Sequence, residues 1–131
     1  MIAVSATGCG SQNQDGAVRR TAITYFSGAL TGNGAEFCSV IGGDLKQTFQ
    51  RKGLNCEREI KGYAARLRKL ADRGGGGAAT IKRVKQEIES TLKIAVSGTT
   101  ATATYGGPYP GRLAFQKIQG RWYVVGPVGA G

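Results

Sequence analysis

The chain has no histidine. That removes the side chain most used as a general acid or base near neutral pH, and the commonest metal ligand. Acidic residues are scarce: 8 Asp and Glu stand against 18 Lys and Arg. None of them follows Glu89, so residues 92–131 contain no Asp, Glu, His or Cys. A C-terminal part of that kind supplies neither a carboxylate pair nor a metal cluster. No apolar run approaches the ~18 residues of a membrane-spanning helix. The glycine run at 74–77 is not a phosphate loop, because no Lys-Ser/Thr follows it and no strand leads in. Cysteine is limited to Cys9, Cys38 and Cys56, and the spacing of the last two is wrong for a zinc knuckle or a redox pair.

What is present describes one ordinary domain of 131 residues, 40% apolar, with a formal net charge of +10. The positive balance implies attraction to anions, whether nucleic acid, acidic lipid or a polyanionic wall polymer. Helical spacing dominates the first part. Asp15 reads as an N-cap, and Val18, Ala22, Tyr25, Phe26 and Ala29 form one apolar stripe that Thr31–Gly34 ends. Phe37, Ile41, Leu45 and Phe49 recur every four residues, with Gly42-Gly43 breaking the run into two short helices or one bent one. Asn55 caps a third helix with Glu57 and Glu59 in its first turn, and Arg66, Arg68, Lys69 and Arg73 crowding its end. Its buried stripe is Cys56, Ile60, Tyr63, Ala64, Leu67 and Leu70. Ile81, Val84 and Ile88 suggest a short fourth helix within 80–91.

From Leu92 the period changes to two. Leu92, Ile94 and Val96, then Thr100–Tyr105, then a run around Leu113 and Phe115, and finally Arg121–Val125 read as four strands. Gln119-Gly120 makes a tight hairpin between the last two. The expected fold class is α+β: N-terminal helices packed on a curved antiparallel sheet of about four strands. Residues 1–14 read as a leader or tail and 15–131 as a single domain.

The segment Ile2–Ser11 resembles the end of a bacterial lipoprotein signal, with Thr7-Gly8-Cys9 at the position where such a cysteine takes lipid. Ala6 stands where leucine is preferred, and the apolar part is short. The reading leaves Cys38 and Cys56 to pair as a disulfide between helices, with two buried free thiols as the alternative. Such a bond would stabilise by roughly 3 kcal/mol in the chain-entropy account.

The pieces Ala17–Arg20 with Tyr25–Leu30, Glu36-Phe37-Cys38, Leu54–Glu57, Val96–Thr104 and Gly120–Val124 together resemble the nuclear transport factor 2-like (cystatin-like) superfamily, in its actinobacterial lipoprotein branch. The resemblance implies a cone-shaped fold, a disulfide between helices, and a role as ligand pocket, assembly module or accessory envelope protein. The superfamily also contains isomerases and dehydratases, which place carboxylates, Tyr or His inside the cone. Here every acid falls at a cap or on the polar side of an expected helix, so acid/base work would need Tyr105, Tyr123 or an inward helix residue. The expectation is therefore no enzyme, no cofactor and no metal.

Tyr25, Phe26, Phe37, Tyr63, Phe115 and Trp122 are expected to line the core or a pocket, with Trp122 as the central plug. Arg58, Lys61, Arg66, Lys69 and Arg73 on the third helix would face anions, in particular a membrane surface beside a lipidated Cys9. Nothing in the chain has helix-turn-helix spacing or RNA-binding strand aromatics, which weighs against nucleic acid. The expected partners are a small hydrophobic ligand, a protein, or the membrane. The expected location is the cell envelope, outside the cytoplasm.

Overall fold

In a computed structural model, the backbone is described for residues 2–107 and 110–127 and the side chains for residues 14–107 and 110–127. Five helices precede four strands: α1 Ile2–Thr31, α2 Gly34–Ser39, α3 Gly43–Arg51, α4 Cys56–Arg73, α5 Gly77–Thr91, β1 Lys93–Ser97, β2 Thr100–Tyr105, β3 Gly111–Ile118 and β4 Arg121–Pro127. The α+β class and the change of period at Leu92 are as the sequence implies. The ambiguous stretch 80–91 is helical, as part of α5.

The first helix does not begin at Asp15. It runs back to Ile2, so Asp15 lies exposed in mid-helix and caps nothing. The turn before Asp15 is held in place: Gln14 Oε1 accepts a 2.7 Å hydrogen bond from the indole N–H of Trp122 on β4. The side chain of Cys9, the expected lipidation site, lies outside the described residues.

The strands form an antiparallel meander in the order β1-β2-β3-β4, curled but not closed into a barrel. A register shift between Ala114 and Phe115 bends β3 against β4. One face carries the buried side chains Ala101, Ala103, Leu113, Phe115, Trp122 and Val124. Against it lie Val18, Ala22 and Phe26 of α1 and Ile88 of α5, forming the main core. Polar anchors fix α1 across the sheet: Thr21 Oγ1 donates to the Trp122 carbonyl at 3.3 Å, and an Arg19 N–H donates to the Leu92 carbonyl at 3.2 Å.

The glycine pair does split the second helical stretch. Between α2 and α3 the chain straightens and runs parallel to β4: Val124 N–H donates to Val40 O at 2.8 Å and Gly42 N–H donates to Val124 O at 2.9 Å. This short piece satisfies backbone groups that would otherwise leave β4 as an open edge. Backbones approach closely where α2 meets α1 and α4. A Cβ at Gly28 would stand 2.7 Å from the Phe37 backbone nitrogen, and one at Gly34 would stand 2.7 Å from Glu57 Cα. Glycine at both positions lets the three helices stack. Asn33 Oδ1 caps α2 by accepting from Glu36 N–H, and Asn55 Oδ1 caps α4 by accepting from Arg58 N–H.

Cys38 and Cys56 form a disulfide with Cα atoms 6.1 Å apart, joining α2 to the first residue of α4. A second apolar cluster of Ala29, Phe37, Ile41 and Ile60 packs beneath it. Replacing both cysteines with alanine should lower unfolding stability by about 3 kcal/mol, read by denaturant titration. Trp122→Ala should cost about 3–5 kcal/mol through loss of a buried ring. A Trp122→Ala variant that melts with the parent would remove that ring from the core.

Candidate ligand-binding cavity

Helix α4 packs against α1, α2 and α5. The space it covers is not filled. A cavity of about 890 Å³ opens there, walled by α1, α4, α5, the α2–α3 region and the end of β2. Its volume is in the range of small-molecule sites. The helical periods explain the walls. Ile60, Tyr63, Leu67, Leu70 and Ala71 project from one stripe of α4, and Ile81, Val84 and Ile88 project from the matching stripe of α5.

The deep wall is aromatic. Phe37 and Tyr25 lie with ring centres 4.6 Å apart, Tyr25 and Phe26 meet edge to face at 5.3 Å, and Phe26 meets Tyr105 edge to face at 4.8 Å. Four rings from α1, α2 and β2 thus form one continuous surface. The mouth follows α4. Glu59, Tyr63, Arg66 and Leu70 stand at i, i+4, i+7 and i+11 along its edge. Tyr63 is 43% exposed and Leu70 is 61% exposed, unusual for large apolar side chains. Here the exposed surface continues into a cavity.

Burial first, and then the nearby Tyr105 and Tyr63, push the Tyr25 hydroxyl from its ordinary 10.0 up to about 12. Tyr105 is raised too, first by burial and then by Tyr63. The Tyr25 and Tyr105 hydroxyls therefore remain protonated at neutral pH and present donors to the cavity.

The expected site residues divide into groups. Tyr25, Phe26, Phe37 and Tyr63 line the cavity. Phe115 and Trp122 do not; both are buried between α1 and the sheet. Arg58, Lys61, Arg66, Lys69 and Arg73 are all exposed on α4. Arg66 reaches the cavity wall, whereas Lys61 borders a separate hollow between α4 and α5 with Arg68, Lys82 and Lys85. The expectation that every acid stays away from the interior needs correction, because Glu59 lines the mouth. Its first-turn position matches the helix dipole, which hid its second role. The signal was present: Glu59 shares a helical edge with Tyr63, Arg66 and Leu70. Tyr105 faces inward, while Tyr123 lies on the other face of the sheet, near Gly42 and with the Arg121 guanidinium 5.8 Å from its ring centre. Among the described residues, no three His, Cys, Asp or Glu side chains gather as a metal site. Likewise among them, no helix is long and apolar enough to cross a membrane.

One family model, described as "Putative lumazine-binding", matches residues 13–128. The chain belongs to that family. The lumazine-binding family has the nuclear transport factor 2-like fold, in agreement with the helices-then-sheet order seen here. No curated protein and no solved structure matches the chain.

The raised Tyr25 pKa has a consequence for stability. Between pH 10 and pH 12 the unfolded chain has released a proton that the folded chain retains, so folding loses free energy as pH rises. Below pH 10 this contribution is constant. Tyr25→Phe should therefore lose less stability than the parent between those two pH values, measured by denaturant midpoints. Equal losses in the two proteins would place the Tyr25 hydroxyl in solvent.

Proposed function

We propose that this protein binds a small hydrophobic ligand in the α4-covered cavity, without chemical turnover, at the cell envelope outside the cytoplasm. The observation that carries the reading is the apolar void of about 890 Å³ with a rim of exposed Tyr63 and Leu70. An unfilled, aromatic-walled space of that size in a domain this small is costly to stability and gains its purpose when a ligand occupies it. The family description adds a flat heteroaromatic of the lumazine type to the candidates.

Binding without turnover is supported by the state of the phenols. A hydroxyl with a pKa pushed to about 12 is a poor base at neutral pH, and it serves best as a hydrogen-bond donor. The envelope location is supported by the Cys38–Cys56 disulfide, since such bonds persist in oxidising compartments. In this reading Cys9 carries lipid and the basic outer face of α4 rests towards anionic headgroups, as in the actinobacterial lipoprotein branch that the sequence resembles. The rival reading, a protein-docking module of a secretion, conjugation or signalling assembly, draws on the same exposed Tyr63 and Leu70. Their continuity with a deep cavity favours a small ligand over a flat partner surface.

A neutral environment-sensitive dye such as Nile red should gain fluorescence on mixing with the protein. Leu67→Trp, which places a large ring in the void, should abolish the gain while the melting temperature is unchanged. No gain with the parent protein, or an undiminished gain in the variant, would contradict binding at this cavity. Intact mass from the native host should show two hydrogens fewer than the reduced chain and lipid on Cys9. Unmodified, fully reduced protein would return the molecule to the cytoplasm.

A further inference from the structure

We infer that the ligand is an extended amphiphile: one long alkyl or isoprenoid chain lying along α4, with an anionic head held by Arg66. The inference rests on the proposed ligand-binding reading and adds the ligand's shape and charge. The shape comes from the cavity. Its lining residues on α4 run from Glu59 to Gly74, which spans about 22 Å at 1.5 Å per residue. Both ends and the length between are walled by side chains from other elements: Leu45 and Phe49 of α3 near one end, Thr80 and Ile81 of α5 near the other. The exposed lining residues Tyr63, Arg66 and Leu70 succeed one another along α4. A compact bicyclic ring would fill a fraction of such a slot and leave the rest of its apolar wall in water. An extended chain covers all of it.

The charge comes from the rim. Two charged side chains line the cavity, Glu59 and Arg66. The ion pairs among the described residues are Arg68 with Asp72 at 3.4 Å and Lys85 with Glu89 at 2.6 Å, so Arg66 is committed to neither. Asp72 projects from the other side of α4, towards Arg68. Arg66 turns back along α4, with its Nη1 3.4 Å from where a Cβ on Gly62 would stand, so Glu59, three residues before Gly62, flanks the same stretch of the rim. Among the described residues Glu59 is the one carboxylate that lines the cavity, and Arg66 with the outer Lys69 and Arg73 outweighs it in the field at that rim. A planar guanidinium suits either a carboxylate or a phosphate, donating to two oxygens at once. The shared chemistry is a long apolar chain on an oxyanion, whether free fatty acid or phospholipid-derived.

The test uses the full chain and four probes: palmitate, cetyl phosphate, hexadecanol and dimethyl-ribityl-lumazine, each titrated against bound Nile red. Palmitate or cetyl phosphate should displace the dye about tenfold more tightly than hexadecanol, the increment expected of one charge-assisted contact. Preference for palmitate over cetyl phosphate would assign the head to a carboxylate, and the reverse to a phosphate. Arg66→Gln should bring the anionic probes to within about threefold of hexadecanol and leave hexadecanol itself unchanged. Arg58→Gln, on the outer face of α4, should preserve the preference, which separates a local contact from the general positive field. Equal binding of hexadecanol and palmitate by the parent protein, or a preference that survives Arg66→Gln, would overturn the anionic head. Displacement by the lumazine and by no chain would overturn the extended shape while leaving a ligand-binding protein. Failure of all four probes, with Nile red bound and removed by Leu67→Trp, would equally reject the amphiphile. Failure of Nile red itself would reject the underlying site.

Discussion

Helix α4 is fastened at one end and free to stand away from the sheet along the rest of its length. The fastening is the bond from Cys56, its first residue, to Cys38, together with the close stacking of α2 that Gly34 permits against the Glu57 backbone. The apolar stripe of α4 with Tyr63, Leu67 and Leu70 favours closure onto α1 and the end of β2, and the anchor and the packing against α5 oppose it. A covalent tie fixes where the helix starts, and α5 supports it along the far side. Between these two constraints the helix bridges a gap that it does not fill. The cavity is thus a product of a local covalent restraint acting against the general tendency to close.

The remainder of the molecule is built densely enough to tolerate the gap. Val18, Phe115 and Val124 are almost fully buried, and Trp122 is both buried and hydrogen-bonded. The main core lies between α1, α5 and the sheet, separate from the second cluster under the disulfide. Phe26 and Ile88 of the main core, and Ala29, Phe37 and Ile60 of the second cluster, also wall the cavity, so the packed layers and the ligand space share a boundary. The curled sheet holds α1, α1 and α5 hold the cavity floor, and α4 serves as a lid whose position is set by sulfur.

Much of this was legible in the sequence because it depends on short-range periodicity. The stripes of α1, α4 and α5, the break at Gly42-Gly43 and the meander after Leu92 all follow from spacing, and the cysteine pair follows from the leader that sets Cys9 apart. Three features were not. Asp15 has the chemistry of an N-cap, but a cap is needed only where a helix ends, and the contact of Gln14 with Trp122 continues the helix beyond it. Phe115 and Trp122 have the same apolar, inward character as Phe26 and Tyr25, so pattern alone assigns all four to one interior. Whether an inward side chain packs or borders a void depends on the distance between layers, which no period encodes. Glu59 satisfies the helix dipole so well that its place on one helical edge with Tyr63, Arg66 and Leu70, which the spacing does show, was masked by that role.

The chemistry of the cavity is one-sided in a way that constrains what it can hold. Its deep wall offers rings and two phenols, Tyr25 and Tyr105, whose pKa values burial raises. Such a wall donates hydrogen bonds and accepts apolar surface, but it resists taking up a proton or a negative charge of its own. The rim offers a guanidinium and a carboxylate, spaced along α4 and facing water. A ligand satisfying both regions is apolar inside, with any ionic group at the entrance. It meets no strong base on the way in, because the C-terminal sheet brings neither carboxylate nor imidazole to the concave face. Holding is the task this arrangement performs well, and the positive field of a chain with net charge +10 favours ligands and surfaces of the opposite sign at the same entrance.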